Sequence, residues 1–249
     1  MTSSRSRQKV TSRKKATPVW LALHTTDVPG AVAMAVGERH VSRTLDPEGQ
    51  HARSLLGAIA QLLAEIEADA SAIEGIVTTC GPGSFTGIRI GLATAQGLAS
   101  ARGQDVFVCD SLEAEAAAQQ VAGWIAVVLD ARRGEVFAAL YRCDDLGIHA
   151  VVEPFVAEPQ AASASLVRAL PVDVEWQVTG GGAELLPLSD LEKSRCRFLT
   201  PASREDLVQA ILSMAQEGQC RSVAPQELQP LYLRKSDAEL NRQARFGTS

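Results

Sequence analysis

Residues 81–99 read Gly81-Pro82-Gly83-Ser84-Phe85-Thr86-Gly87-Ile88-Arg89-Ile90-Gly91, continuing Leu92-Ala93-Thr94-Ala95-Gln96-Gly97-Leu98-Ala99. A strand-type run, Ile73 to Thr79, precedes this stretch, so strand, glycine turn and helix follow one another as in an α/β unit. Free backbone N–H groups at a helix start attract anions, and the first reading of such a turn is a phosphate cradle. The P-loop pattern, however, closes on Gly-Lys-Ser or Gly-Lys-Thr, and no lysine follows the last glycine of the turn. Gly87, Gly91, Ala95 and Ala99 recur at steps of four and so stack on one helix face. A strip this bare admits another backbone closely, and it predicts a docking seam as readily as a nucleotide site.

On the N-terminal side, Val19 to Leu23 is a short apolar run suited to a buried strand. Asp27-Val28-Pro29-Gly30 signals a turn, and strands are predicted over Ala31–Val36 and Glu38–Thr44. Leu55, Leu56, Ile59, Leu62, Leu63 and Ile66 follow helical spacing. On the C-terminal side, Val106–Cys109 predicts a strand and Ser111 a cap for an alanine-rich helix through Val121. A fresh start follows, with strands over Trp124–Asp130 and Glu135–Tyr141 joined at Arg132-Arg133-Gly134. Further elements are a helix near 160–170, strands near 174–179 and 196–199, and a helix near 204–217. The expectation is two α/β lobes, 18–112 and 113–235, between a basic tail at 1–17 and a tail at 236–249. No sequence-level repeat links the two halves.

The 249 residues carry 24 basic and 29 acidic side chains. Six of the basic residues lie in 1–17, which holds no acidic residue and reads as disordered. The remainder carries 18 basic against 29 acidic residues, a net of −11 that disfavours autonomous binding to tRNA or DNA. No uninterrupted apolar run reaches eighteen residues, so no transmembrane helix is expected. Five dispersed cysteines form neither a CxxC pair nor a metal knuckle; reduced thiols and a cytoplasmic location are expected.

Candidate chemistry is sparse. The histidines, His24, His40, His51 and His149, show no zinc spacing, so no metal site is expected. Ser84 lacks the flanking glycines of a nucleophile elbow, and a cap or turn role fits Ser84 and Thr86 better. Asp130 and Glu135 read as a charged hairpin tip rather than an acid/base pair. Gly180-Gly181-Gly182 demands a tight turn or a close approach of backbone.

The eleven residues from Gly81 to Gly91 closely resemble the signature of the bacterial TsaB (YeaZ) family of tRNA threonylcarbamoyladenosine biosynthesis proteins. His51-Ala52-Arg53-Ser54-Leu55-Leu56, Asp130 to Phe137, and Pro230-Leu231-Tyr232-Leu233-Arg234 agree with that family in order and character, so the resemblance spans roughly residues 19–235. It implies a two-lobed α/β fold like actin, Hsp70 and sugar kinases, related to ribonuclease H, each lobe a mixed sheet with helices. It also implies a non-catalytic subunit that binds and activates a TsaD threonylcarbamoyltransferase, with a TsaE-like ATPase joining the pair. Homodimerisation through the same helices is a further implication, tRNA being contacted only indirectly. The implied partner-binding residues are Gly87, Arg89, Gly91, Thr94, Ala95, Leu98, Ala99, His51 and Leu55. No catalytic residue is assigned, and ATP or ADP is expected only in the assembled complex. The family's first strand usually ends Ile-Asp-Thr, whereas here His24 takes the carboxylate's place, a poor substitute beside Mg²⁺. The rival reading is an autonomous peptidase or nucleotide hydrolase of the glycoprotease-like family.

Overall fold

The computed structural model describes residues 17–46 and 51–234; the expected tails lie almost entirely outside them. Eleven strands and six α-helices form two mixed sheets among the described residues. In the first lobe, β1 (Val19–His24), β2 (Ala31–Val36) and β3 (Arg39–Thr44) run antiparallel. Helix α1 (His51–Glu65) leads to β4 (Ile73–Thr79), which pairs parallel with β1. Helix α2 (Phe85–Ser100) leads to β5 (Val106–Cys109), parallel with β4, and α3 (Ser111–Ala118) follows.

The second lobe repeats this order. β6 (Gly123–Arg132), β7 (Glu135–Asp144) and β8 (Gly147–Ala157) run antiparallel. Helix α4 (Pro159–Ala169) leads to β9 (Trp176–Thr179), parallel with β6. Helix α5 (Asp190–Arg195) leads to β10 (Cys196–Phe198), parallel with β9, and α6 (Arg204–Gln216) follows. The spatial orders 3-2-1-4-5 and 8-7-6-9-10 are therefore the same topology built twice. The duplication was not visible as a sequence repeat because it is carried by hydrophobic pattern rather than by residue identity.

Alternation along β2 shows how the layers form. Val32 and Met34 join a core with Leu55, Ile59 and Leu62 of α1 and Ala95 and Ala99 of α2. Ala31, Ala33 and Ala35 face the other way, where their small side chains let Leu207, Ile211 and Leu212 of α6 pack closely. Helix α6 thus lies on the first sheet although it follows the second lobe in sequence. In exchange, Leu112 and Ala116 of α3 pack against Ile125, Val127 and Tyr141 of the second sheet. The final strand, β11 (Arg221–Val223), pairs antiparallel with β5. Residues 204–223 consequently belong with the first sheet, and the expected 113–235 lobe is shortened. Three elements were missed by the sequence reading: β8, α5 and β11. The cap of α3 is Asp110, not Ser111, with one carboxylate oxygen accepting from the N–H groups of Leu112 and Glu113, each at 2.8 Å.

Candidate partner-binding face and inter-lobe cleft

The glycine turn meets the loop that leaves β1. Ser84 N–H donates to the Thr26 carbonyl at 2.6 Å, and the Thr25 hydroxyl donates to the Gly87 carbonyl at 2.7 Å. Ser84 caps α2, its hydroxyl oxygen accepting from Gly87 N–H at 3.2 Å. A methyl group added at Gly83 would fall on the Thr26 carbonyl, at Gly87 on the Thr25 carbonyl, and at Gly91 on the Thr25 hydroxyl. The glycines make room for the chain's own backbone.

This corrects the docking seam. Gly87, Gly91, Ala95 and Ala99 are all buried, and so is Leu55 of α1. Their side of α2 faces β1 and β4, because a helix must bury one stripe against its own sheet before it can offer another. Of the remaining expected partner residues, Arg89 is exposed and Thr94 and Leu98 are half-buried; the side chain of His51 lies outside the described residues. The outward face of α2 instead presents Arg89, Ala93, Gln96 and Gly97, and that of α1 presents Leu56, Gly57, Ala60, Gln61 and Ala64. Leu56 is 55% exposed, and a Cβ placed on Gly57 or Gly97 would meet nothing within 4 Å. A second strip of small residues was present in the sequence, one helical step round from the strip that was singled out.

Between the lobes lies a cleft of about 880 Å³, with His24 and Thr26 on the first lobe's side and Leu129 and Phe137 on the second's. Tyr232 stacks on Phe85 with ring centroids 4.8 Å apart, and Arg89 Nε donates to the Tyr232 hydroxyl at 2.8 Å while its guanidinium lies over Phe85. Leu231 N–H donates to the Cys80 carbonyl at 2.7 Å, and Arg234 donates to the Ala131 carbonyl at 2.6 Å. The C-terminal strap thus ties lobe to lobe along the cleft.

His24 is 2% exposed, and burial, reinforced by the Arg204 guanidinium, lowers its pKa to about 4. The ring is neutral at pH 7. Arg204 pairs with Asp27. Glu115, also buried, accepts from Thr179, from Ala202 N–H and from Gln119, and burial raises its pKa. Burial first, then the Asp110 carboxylate, raises Glu113 to about 7. Asp130 accepts from Arg132 N–H and pairs with its guanidinium two residues along the same strand, as a charged tip should. The five cysteines are free, and burial raises Cys80 and Cys143 to about 11. Cys109 is raised chiefly by its contact with Cys220, a pairing of strands the sequence spacing could not reveal.

A nucleotide held with Mg²⁺ between the lobes needs a carboxylate beside the metal and an open phosphate hollow, and the residues here do not fit one. The leading carboxylate is replaced by a neutral imidazole, the hollow of the glycine turn holds Thr25 and Thr26 backbone, and Ser84 occupies the helix cap. Among the described residues, no group of three or more His, Cys, Asp or Glu side chains gathers to hold a metal ion.

The family model for TsaD, tRNA N6-adenosine threonylcarbamoyltransferase, matches residues 47–173. The Escherichia coli tRNA threonylcarbamoyladenosine biosynthesis protein TsaB is 30% identical over 199 residues, spanning 76% of this chain and 83% of that protein. The chain belongs to the TsaB (YeaZ) family. A solved structure of YeaZ from Pseudomonas aeruginosa agrees in fold, with a TM-score of 0.70 at 27% identity over 87% of this chain and 100% of that one. TsaB from Bacillus subtilis is 36% identical over 93 residues, 37% of this chain and 41% of that protein. At the glycine turn Ser84 is committed to the cap of α2. No helix among the described residues is long and apolar enough to cross a membrane.

Proposed function

We propose that this chain is a non-catalytic subunit of tRNA threonylcarbamoyladenosine biosynthesis that binds and activates a TsaD-like threonylcarbamoyltransferase. The observation that carries this reading is the outward face of α1 and α2, where Gly57, Ala60, Ala64, Ala93 and Gly97 leave two backbones bare beside exposed Leu56. Two helices with small residues at their surface let a partner's helices approach closely, and the apolar Leu56 supplies an anchor. The names of the relatives and the TsaD family match support the pathway and the kind of partner. A TsaE-like ATPase joins the assembled pair, and ATP or ADP belongs to that assembly. The same face serves for homodimerisation of the free chain, and tRNA is held mainly by the partner, in keeping with the acidic body. A role in tRNA modification fits a cytoplasmic location.

The test is a mixture of the chain with the TsaD-like subunit from the same cell. Light scattering should give a defined complex for the natural chain. Leu56→Asp or Gly97→Arg should abolish that complex without changing the melting curve. Complexes of unchanged affinity with both variants would overturn the proposal.

A further inference from the structure

A basic stretch precedes the first strand and takes no part in the sites described above. Arg5, Arg7, Lys9, Arg13, Lys14 and Lys15 stand there without a single carboxylate, ahead of the described residues. The stretch joins the fold at Thr17, whose methyl group would lie 3.6 Å from a Cβ placed on Gly37, in the turn between β2 and β3. Just past that turn, His40 Nδ1 lies 2.9 Å from Gln209 Oε1 on α6. Gln209 lines a groove of about 470 Å³ between α3, α6 and the turn that joins β7 to β8.

The groove is acidic. Asp144, Asp145 and Glu217 line it, with no lysine or arginine among the lining residues. All three carboxylates are exposed, and among the described residues only Asp144 has a basic side chain within ion-pair reach, His149 at 3.6 Å. Gln209, Ser213 and Glu217 stand at steps of four along α6 and its cap, a track of about 12 Å from His40 toward the carboxylates. Val121, Ile148 and Met214 add apolar wall suited to the aliphatic stems of Lys and Arg.

Reach and charge agree. Residues 1–16, extended, span about 50 Å, well beyond the length of this track. The covalent tether keeps them at an effective concentration on the order of 1 mM, so surface ion pairs that are weak singly act together. The acidic remainder of the chain attracts the stretch and repels a phosphate backbone. We propose that residues 5–15 dock in this groove and brace α6, which packs on the first sheet, against the β7–β8 turn of the second lobe. The groove is separate from the α1–α2 face, so the brace stands or falls apart from the partner reading.

Carbodiimide cross-linking of the full chain, read by mass spectrometry, tests the brace. The reagent takes up the water lost when a lysine amine and a carboxylate join as an amide. Lys9, Lys14 and Lys15 are three of the five lysines in the sequence. At about 50 mM NaCl, their links to Asp144, Asp145 or Glu217 should exceed those to exposed Glu184 and Asp190 about fivefold or more, and about 0.5 M NaCl should cut them severalfold. The combined variant Arg5→Ser, Arg7→Ser and Arg13→Ser keeps every lysine and should also cut the yield severalfold. In a mixture of ¹⁵N-labelled and unlabelled chains, the linked peptides should carry a single isotope, and equimolar tRNA should leave the yield unchanged. Links spread evenly over exposed carboxylates, or yields that survive both salt and the arginine variant, would overturn the proposal. So would mixed-isotope pairs, which place the stretch on a second copy, or links lost to tRNA, which assign it to nucleic acid.

Discussion

The two lobes share one topology and one device. In the first, the glycine turn after β4 receives the backbone that leaves β1. In the second, the turn after β9 does the same: Gly182 N–H donates to the Val128 carbonyl at 2.9 Å, and a methyl group at Gly180 would fall on that oxygen. The lobes part company immediately afterwards. The first turn starts a 16-residue helix with an exposed small-residue face, whereas the second reaches only the six-residue α5. The glycines of both turns are explained by the fold, and the difference that bears on the proposed function is the long helix.

The largest expected effect breaks the reading of α2's inner face as fold rather than interface. Gly87→Val drives a branched side chain into the Thr25 carbonyl, and a denaturant melt should show a loss above about 3 kcal/mol. An unchanged melt would return the inner seam to the surface.

The lobes also differ at the end of the first strand, where only the first carries a buried histidine. Its lowered pKa means the unfolded chain takes up a proton near pH 6.5 while the folded chain does not until about 4. The His24 contribution to stability is therefore full above pH 6.5 and lost as pH falls toward 4, by about 3 kcal/mol. His24→Gln should flatten that part of the stability–pH curve, and equal slopes in the two proteins would refute the assignment.

Equivalence of the turns is tested by Gly180→Ala, which meets the Val128 carbonyl and holds φ at +95°. A loss of about 2 kcal/mol is expected; a value below about 0.5 kcal/mol would make the second turn a looser structure than the first. The strap gives a smaller effect. Arg89→Ala removes the bond to Tyr232 and the stacking on Phe85 at the surface, and should cost about 1 kcal/mol by thermal melting.

Much of this comparison was legible in the residues. Strands Ile73–Thr79 and Val106–Cys109 have the bounds the apolar runs predicted, and α1 follows the Leu55 to Ile66 periodicity. Strand β8 escaped because His149, Glu153 and Pro154 interrupt any apolar alternation at a sheet edge. Helix α6 was found, but no local signal says which sheet a helix packs on. The same limit misled the reading of α2. A stripe of small residues says that something approaches closely, and its spacing cannot say whether the visitor is a partner or the chain's own β1 loop. His24 was noted as a missing carboxylate; its burial and its unpartnered Nε2 needed the structure.

The claim that α2 has a structural inner face and a partner-binding outer face is tested most directly by Gly97→Arg. The melting temperature and the affinity for the TsaD-like subunit are measured on the same sample. A stability change within about 0.5 kcal/mol, together with at least a tenfold loss of affinity, is the predicted result. Full affinity in a folded Gly97→Arg protein would contradict the account.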